Sequence, residues 1–119
     1  MTRGIRGAIQ VEENKAASIL KAAEELMHAL IEANAIHSNT VAAVMFTVTP
    51  DINAVFPAEV RKKIGWELVP FLCAQEIPVP ESLPRILRVL VLVDTQLSQR
   101  EVRHQYLGAA QTLRPDLKR

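Results

Sequence analysis

Residues 86–93 constrain this chain more than any other segment. Seven of the eight are Val, Leu or Ile, and the eighth is Arg88. A run of that length and composition, without Gly or Pro, reads as a buried strand. A guanidinium stays charged at any ordinary pH, and burying one alone is costly. The fold must therefore set a carboxylate beside Arg88, leave it at an exposed place on a sheet face, or open a cavity that an anionic ligand enters.

The rest of the chain narrows these choices. A length of 119 residues suits one domain over residues 1–119 with its own core. A net charge of +1 gives no case for a nucleic-acid or membrane surface. Nine of the fourteen basic residues are Arg, a bias toward carboxylate or phosphate recognition through the planar fork of the guanidinium. The single cysteine, Cys73, excludes an internal disulfide and a cysteine-based metal cluster. Residues 1–14 lack the apolar core of a signal peptide, and no stretch approaches the ~20 apolar residues of a membrane span. The chain reads as soluble and cytoplasmic.

Period-two alternation over residues 2–11 predicts a strand with Ile5, Gly7 and Ile9 on one face and Gly4, Arg6 and Ala8 on the other. Arg6 is flanked on its own face by two very small residues, which leaves room for a ligand or another backbone. A solvated Arg on a Gly-rich edge strand is the other reading. The spacing of Ala16, Ile19, Leu20, Ala23, Leu26, Met27, Leu30 and Ile31 predicts one long helix over residues 13–33. Glu12 and Glu13 lie near its positive end, and Asn34 stops it. His28 and His37 are surface residues. Residues 41–49 read as a second buried strand, and Pro57 opens a short helix running to Gly65. Residues 66–73 read as a third strand edged by Pro70, residues 76–84 as a stiff loop with three prolines, and residues 100–112 as a second helix. The expected architecture is α+β: one mixed β-sheet of four or five strands with helices on one face. Because both faces of residues 86–93 are apolar, the uncovered face is expected to pack on copies of the same chain.

The usual catalytic machinery is missing. The chain has no GxGxxG, P-loop, HExxH or Cys/His metal spacing, and no GxSxG elbow. Cys73 has no His nearby in sequence and reads as a small apolar residue at a strand end. What remains is a set of arginines, a strand-end carboxylate, Glu76, and the single tyrosine, Tyr106. Such a set can bind a small polycarboxylate and stabilise charge developing on it.

Several stretches together are far more specific than any alone. They are Arg3-Gly4-Ile5-Arg6-Gly7-Ala8, Ala54-Val55-Phe56-Pro57-Ala58, Gly65-Trp66, Val69-Pro70, Cys73, Gln75-Glu76 and Ile86-Leu87-Arg88-Val89. They continue with Val102-Arg103-His104-Gln105-Tyr106-Leu107 and Leu113-Arg114-Pro115-Asp116-Leu117. With them the chain resembles, over nearly its whole length, the small trimeric chorismate mutases of the AroH class. The resemblance implies the Claisen rearrangement of chorismate to prephenate, on the phenylalanine and tyrosine branch of aromatic amino-acid biosynthesis. No metal, cofactor or covalent intermediate is implied.

On this resemblance Arg88 binds the ether oxygen and a substrate carboxylate, and Arg6 binds a carboxylate. Glu76 and the Cys73 region contact the ring hydroxyl, and Glu76 also lies near the developing positive charge. Tyr106 contacts a carboxylate. Phe56 and Leu113 are wall residues, Ala58 and Leu72 also bind substrate, Arg61 is a basic residue of the short helix, and Arg114 belongs to a short C-terminal tail. The implied assembly is a pseudo-α/β-barrel homotrimer whose sheets pack around the trimer axis, with active sites in the clefts between subunits. Phe56, Cys73 and Glu76 are expected to face Arg6, Arg88 and Tyr106 across a subunit boundary. Two other readings are an enamine/imine deaminase-like trimer and a non-catalytic binder of an aromatic-pathway carboxylate.

Overall fold

A computed structural model describes residues 1–117; the last two residues of the expected domain lie outside the described ones. The elements run β1 (Thr2–Gln10), α1 (Ala16–Asn34), β2 (Val41–Val48), β3 (Phe71–Gln75), β4 (Ile86–Asp94) and β5 (Gln105–Tyr106). Short 3-10 helices cover Ser38–Thr40, Pro57–Lys62, Gly108–Leu113 and Pro115–Leu117. The five strands form one sheet in the order β3-β2-β4-β1-β5. The β1–β4 and β2–β4 pairs are antiparallel, and β2–β3 and β1–β5 are parallel. The run around Arg88 is thus the central strand of a mixed sheet, as its composition demands.

One face of the sheet makes the core. Ile5 and Ile9 of β1, Val44 and Phe46 of β2, and Leu87, Val89, Val91 and Val93 of β4 are buried with Ile19, Ala23, Leu26, Met27 and Leu30 of α1. This is the apolar stripe predicted from helical spacing, shifted slightly: Ala22 is buried and Leu20 only partly so. The helix starts three residues later than predicted, after Lys15, with no acidic residue in its first turn. It ends on Asn34, with Ala35 in the left-handed conformation at φ 50°. Among the described residues, no helix is long and apolar enough to cross a membrane.

Three expectations are corrected. Residues 66–69 are a turn and not strand. There the Trp66 N–H donates to the Arg61 carbonyl and the Val69 N–H to the Trp66 carbonyl, so β3 begins only after Pro70. The helix expected from Pro57 to Gly65 is a 3-10 turn over Pro57–Lys62, and Gly65 follows it at φ 73°. The second helix, expected over residues 100–112, does not form. Asn34 captures the backbone of that segment: its Oδ1 accepts the Arg103 N–H at 2.7 Å, and its Nδ2 donates to the Arg103 carbonyl at 3.0 Å. The Arg6 N–H donates to Nδ1 of His104 at 3.1 Å, and Gln105 and Tyr106 then pair with Gly7 and Ala8 as β5. Tertiary hydrogen bonds outweigh a modest helical propensity here.

Candidate active site

The other sheet face carries no α-helix among the described residues, only the 3-10 turn Gly108–Leu113 packed on Ala8 and Ile86, and register places the candidate residues on it. Tyr106 lies opposite Ala8, Ala8 opposite Arg88, Arg88 opposite Thr47, and Thr47 opposite Ala74. One row further along β1, Arg6 lies opposite Leu90, Leu90 opposite Met45, and Met45 opposite Leu72. Arg6 and Arg88 are therefore diagonal neighbours on one face. The small residues flanking Arg6 serve different ends. Leu90 and Leu92 lean over Gly4, where a Cβ would meet them at 3.3 and 3.7 Å. Ala8 is buried in a small cluster with Ile86 and Ala110, lined by Leu83, Tyr106 and Leu113. The close backbone approach occurs at Gly7, where a Cβ would sit 2.4 Å from the Gln105 carbonyl oxygen.

Arg88 is neither deeply buried nor alone. Its side chain keeps 39% of its exposure, and its Nε donates to Glu76 Oε1 at 2.7 Å. Of the alternatives open for Arg88, a carboxylate beside it is thus supplied by the chain itself. That corrects the expectation that Glu76 faces Arg88 across a subunit boundary. Glu76 follows β3 with the parity of Leu72 and Ala74, which turns it to the open face, and its N–H donates to the Val48 carbonyl at 2.8 Å.

The pair is incomplete as it stands. Glu76 Oε2 is buried without a hydrogen-bond partner. The terminal nitrogens of Arg88 make no hydrogen bond among the described residues. A buried carboxylate oxygen left unpaired costs free energy, so the site is set to receive a donor at Glu76 and an acceptor at Arg88. Both side chains line a cleft of about 360 Å³ with Leu113, Ile86, Leu83, Asp51 and Thr49. Arg6 shares this face with Arg88, and the second carboxylate of the cleft wall, Asp51, has its oxygens engaged by the Arg85 N–H and the Thr49 hydroxyl. Tyr106 is half-buried. Burial pushes its phenol up, and the Arg88 charge pulls it partly back. It is therefore a neutral hydroxyl that can donate.

The remaining expected residues form a second group. Phe56 is 71% exposed at the rim of a hollow of about 620 Å³ that Cys73 also lines. Burial pushes the Cys73 thiol up, and a hydrogen bond with the Ala58 backbone opposes this. Cys73 packs against the main core. Leu72 alternates with it and is 61% exposed on the open face. Arg61 lies apart from the Arg88 cleft: its Nη1 donates to the Ala58 carbonyl at 3.1 Å and to Glu59 at 3.0 Å. Arg114 is held bidentate by Asp116 at 2.8 and 3.1 Å. The structure therefore unites Arg88, Glu76 and Leu113 in one cleft, with Arg6 and Tyr106 on the same face. It keeps Phe56, Ala58 and Cys73 separate. Thr49 and Asp51 of the cleft wall were not anticipated. Their signal was Thr-Pro-Asp just after a strand, a pattern that favours side-chain-to-backbone turn bonds.

Fold and site define a class: a small α+β protein with an open-faced mixed sheet and an arginine–glutamate pair lining a cleft on that face. The family model for chorismate mutase type I matches residues 2–117, and the chain belongs to that family, whose activity is an isomerisation. It is 53% identical over 118 residues to the chorismate mutase AroH of Thermus thermophilus, covering 98% of this chain and 97% of that one. It is 42% identical over 118 residues to the chorismate mutase AroH of Bacillus subtilis, covering 98% and 93%. The solved chorismate mutase of Clostridium thermocellum superposes with a TM-score of 0.90 at 34% identity, covering 92% of this chain and 98% of that one.

Proposed function

We propose that this chain rearranges chorismate to prephenate as a single-domain cytoplasmic homotrimer, by electrostatic stabilisation of the transition state. The observation that carries this is the incomplete Arg88–Glu76 pair. As the ether C–O bond breaks and the new C–C bond forms, negative charge grows on the ether oxygen and positive charge on the ring. The unused donors of Arg88 meet that oxygen and a substrate carboxylate. Donors placed in advance stabilise such charge without reorganising at the moment of reaction. The free Oε2 of Glu76 accepts from the ring hydroxyl, and its charge lies near the positive ring. Arg6 and the Tyr106 hydroxyl hold carboxylates. No proton moves between protein and substrate.

The trimer reading rests on two features. Met45, Leu72 and Leu92 leave the open sheet face apolar and exposed in a single chain. The Phe56–Cys73 hollow also stands apart from the Arg88 cleft, so a neighbour's Phe56, Ala58, Leu72 and Cys73 can wall the cleft that Arg88 opens.

Incubation with chorismate tests the proposal. The expected result is loss of chorismate absorbance and a product that acid converts to phenylpyruvate. Chorismate that binds but persists would leave a non-catalytic binder. No action on chorismate, together with hydrolysis of an enamine or imine, would favour the deaminase-like reading.

A further inference from the structure

The loop after β2 holds a carboxylate outside the proposed list of substrate contacts that ties the far end of the proline-rich loop to the end of β2. Asp51 accepts the Arg85 backbone N–H with both oxygens, at 3.0 Å (Oδ2) and 3.2 Å (Oδ1). It also accepts the Thr49 hydroxyl at 2.5 Å. Thr49 Oγ1 in turn accepts the Ile86 N–H at 3.0 Å, and the Thr49 N–H donates to the Ile86 carbonyl at 3.1 Å. Arg85 is held at φ 52°, in the left-handed region that a non-glycine residue keeps only where its surroundings over-determine it. They do so here. Besides the Asp51 bonds, Arg85 Nε donates to the Val11 carbonyl at 2.9 Å, and its own carbonyl accepts the Val11 N–H at 2.7 Å.

The far end of the proline-rich loop is tied to the same stretch of chain. Glu76 is anchored through its N–H to the Val48 carbonyl. Residues 48–51 therefore hold both ends of the loop that separates the two charged partners. Glu76 is at one end, and Arg85 is at the other, three residues before Arg88.

We infer that Asp51 is a positioning residue for the reaction: it holds the left-handed turn at Arg85 and, through it, the place of Arg88 relative to Glu76. The inference rests on the reading of Arg88 and Glu76 as the substrate-binding pair. A displacement near 1 Å at a reacting centre can cost on the order of 10² in rate. Binding shared with Arg6 and Tyr106 suffers less. Loss of Asp51 therefore lowers kcat more than it raises KM.

The test is steady-state turnover of chorismate by Asp51→Ala and the near-isosteric Asp51→Asn, each checked by circular dichroism and cooperative melting. Asp51→Ala should lose roughly tenfold in kcat with KM changed by less than about threefold. Asp51→Asn should lose less, because it keeps one acceptor. Adding Arg85→Asn, a residue that tolerates the left-handed region, should restore part of the loss. A second readout needs no substrate: the Arg88 Nε–H resonance, identified by its loss in Arg88→Lys, should shift in Asp51→Ala. Wild-type protein inert toward chorismate would overturn the reading of the site, and the resonance would still decide on Asp51. The inference is overturned by an unmoved resonance with unchanged kcat, by a raised KM at unchanged kcat, or by a kcat loss that only follows loss of folded protein.

Discussion

At the scale of single residues, the proposed chemistry turns on how Arg88 is held. Its Nε is spent on Glu76, which leaves the two terminal nitrogens for a ligand and orients them. Arg88→Ala should lower kcat/KM by at least 10²–10³, the order expected for one donor aimed at developing charge, while the protein stays folded. Arg88→Lys keeps the charge but loses the fork and should remain badly impaired. Retention of a tenth of wild-type activity by Arg88→Ala would remove this residue from the mechanism.

The titratable neighbours point the same way. Burial raises the Cys73 thiol and the Tyr106 phenol, so both stay protonated through neutral pH. Turnover should be nearly flat from about pH 5 to 9, with a fall only on the acid side as carboxylates protonate. For stability the sign follows from the raised folded values. The contribution is complete below the unfolded thiol value near 8.5 and declines as pH rises from there toward the folded value. Kinetic profiles and alkylation of Cys73 at pH 8, expected to be slower than for a small free thiol, check both statements. A rate limb near pH 6.5 with a solvent isotope effect of two or more would instead indicate proton transfer.

Among the elements, β5 is the most dependent on its surroundings. It is two residues long and owes its place to Asn34, to His104 and to the parallel pairing with Gly7 and Ala8. Gly7 allows that pairing. A Cβ there would lie 2.4 Å from the Gln105 carbonyl oxygen and 3.0 Å from Leu26 Cδ1, distances that neither a backbone nor a packed core accepts without moving. Gly7→Ala should cost about 1–3 kcal/mol of stability, the range for overpacked sites, and should displace Tyr106 with its strand. Chemical denaturation measures the first effect and the KM for chorismate the second. A variant as stable as wild type would show that β5 yields freely.

For the whole molecule, the decisive feature is a sheet with one face covered by α1 and the other open except where Gly108–Leu113 packs on Ala8 and Ile86. Leu72, Met45 and Leu92 project from its open part, and the proposed trimer covers it. Light scattering at micromolar concentration should give three times the chain mass. Leu72→Asp should shift the equilibrium toward monomer and lower activity in proportion, since a charge buried in an apolar contact is strongly disfavoured. A wild-type monomer with full activity would refute the assembly.

The residues alone determined a good deal: the α+β class, the one long helix, the central position of residues 86–93 and the need of Arg88 for an anionic partner. Each rests on local periodicity, or on the cost of placing a charge among apolar neighbours, and both can be read along the chain. The tertiary structure decided the rest. It paired Glu76 with Arg88 within one chain, because strand parity beyond β3 turns the Glu76 side chain to the open face. It made Gln105 and Tyr106 a strand where a helix was expected, because Asn34, 69 positions before Arg103, binds the backbone just ahead of them. It made Asp51 a clamp on a residue 34 positions later. Bonds of that range follow from how the sheet is ordered, and no spacing in a linear sequence encodes them.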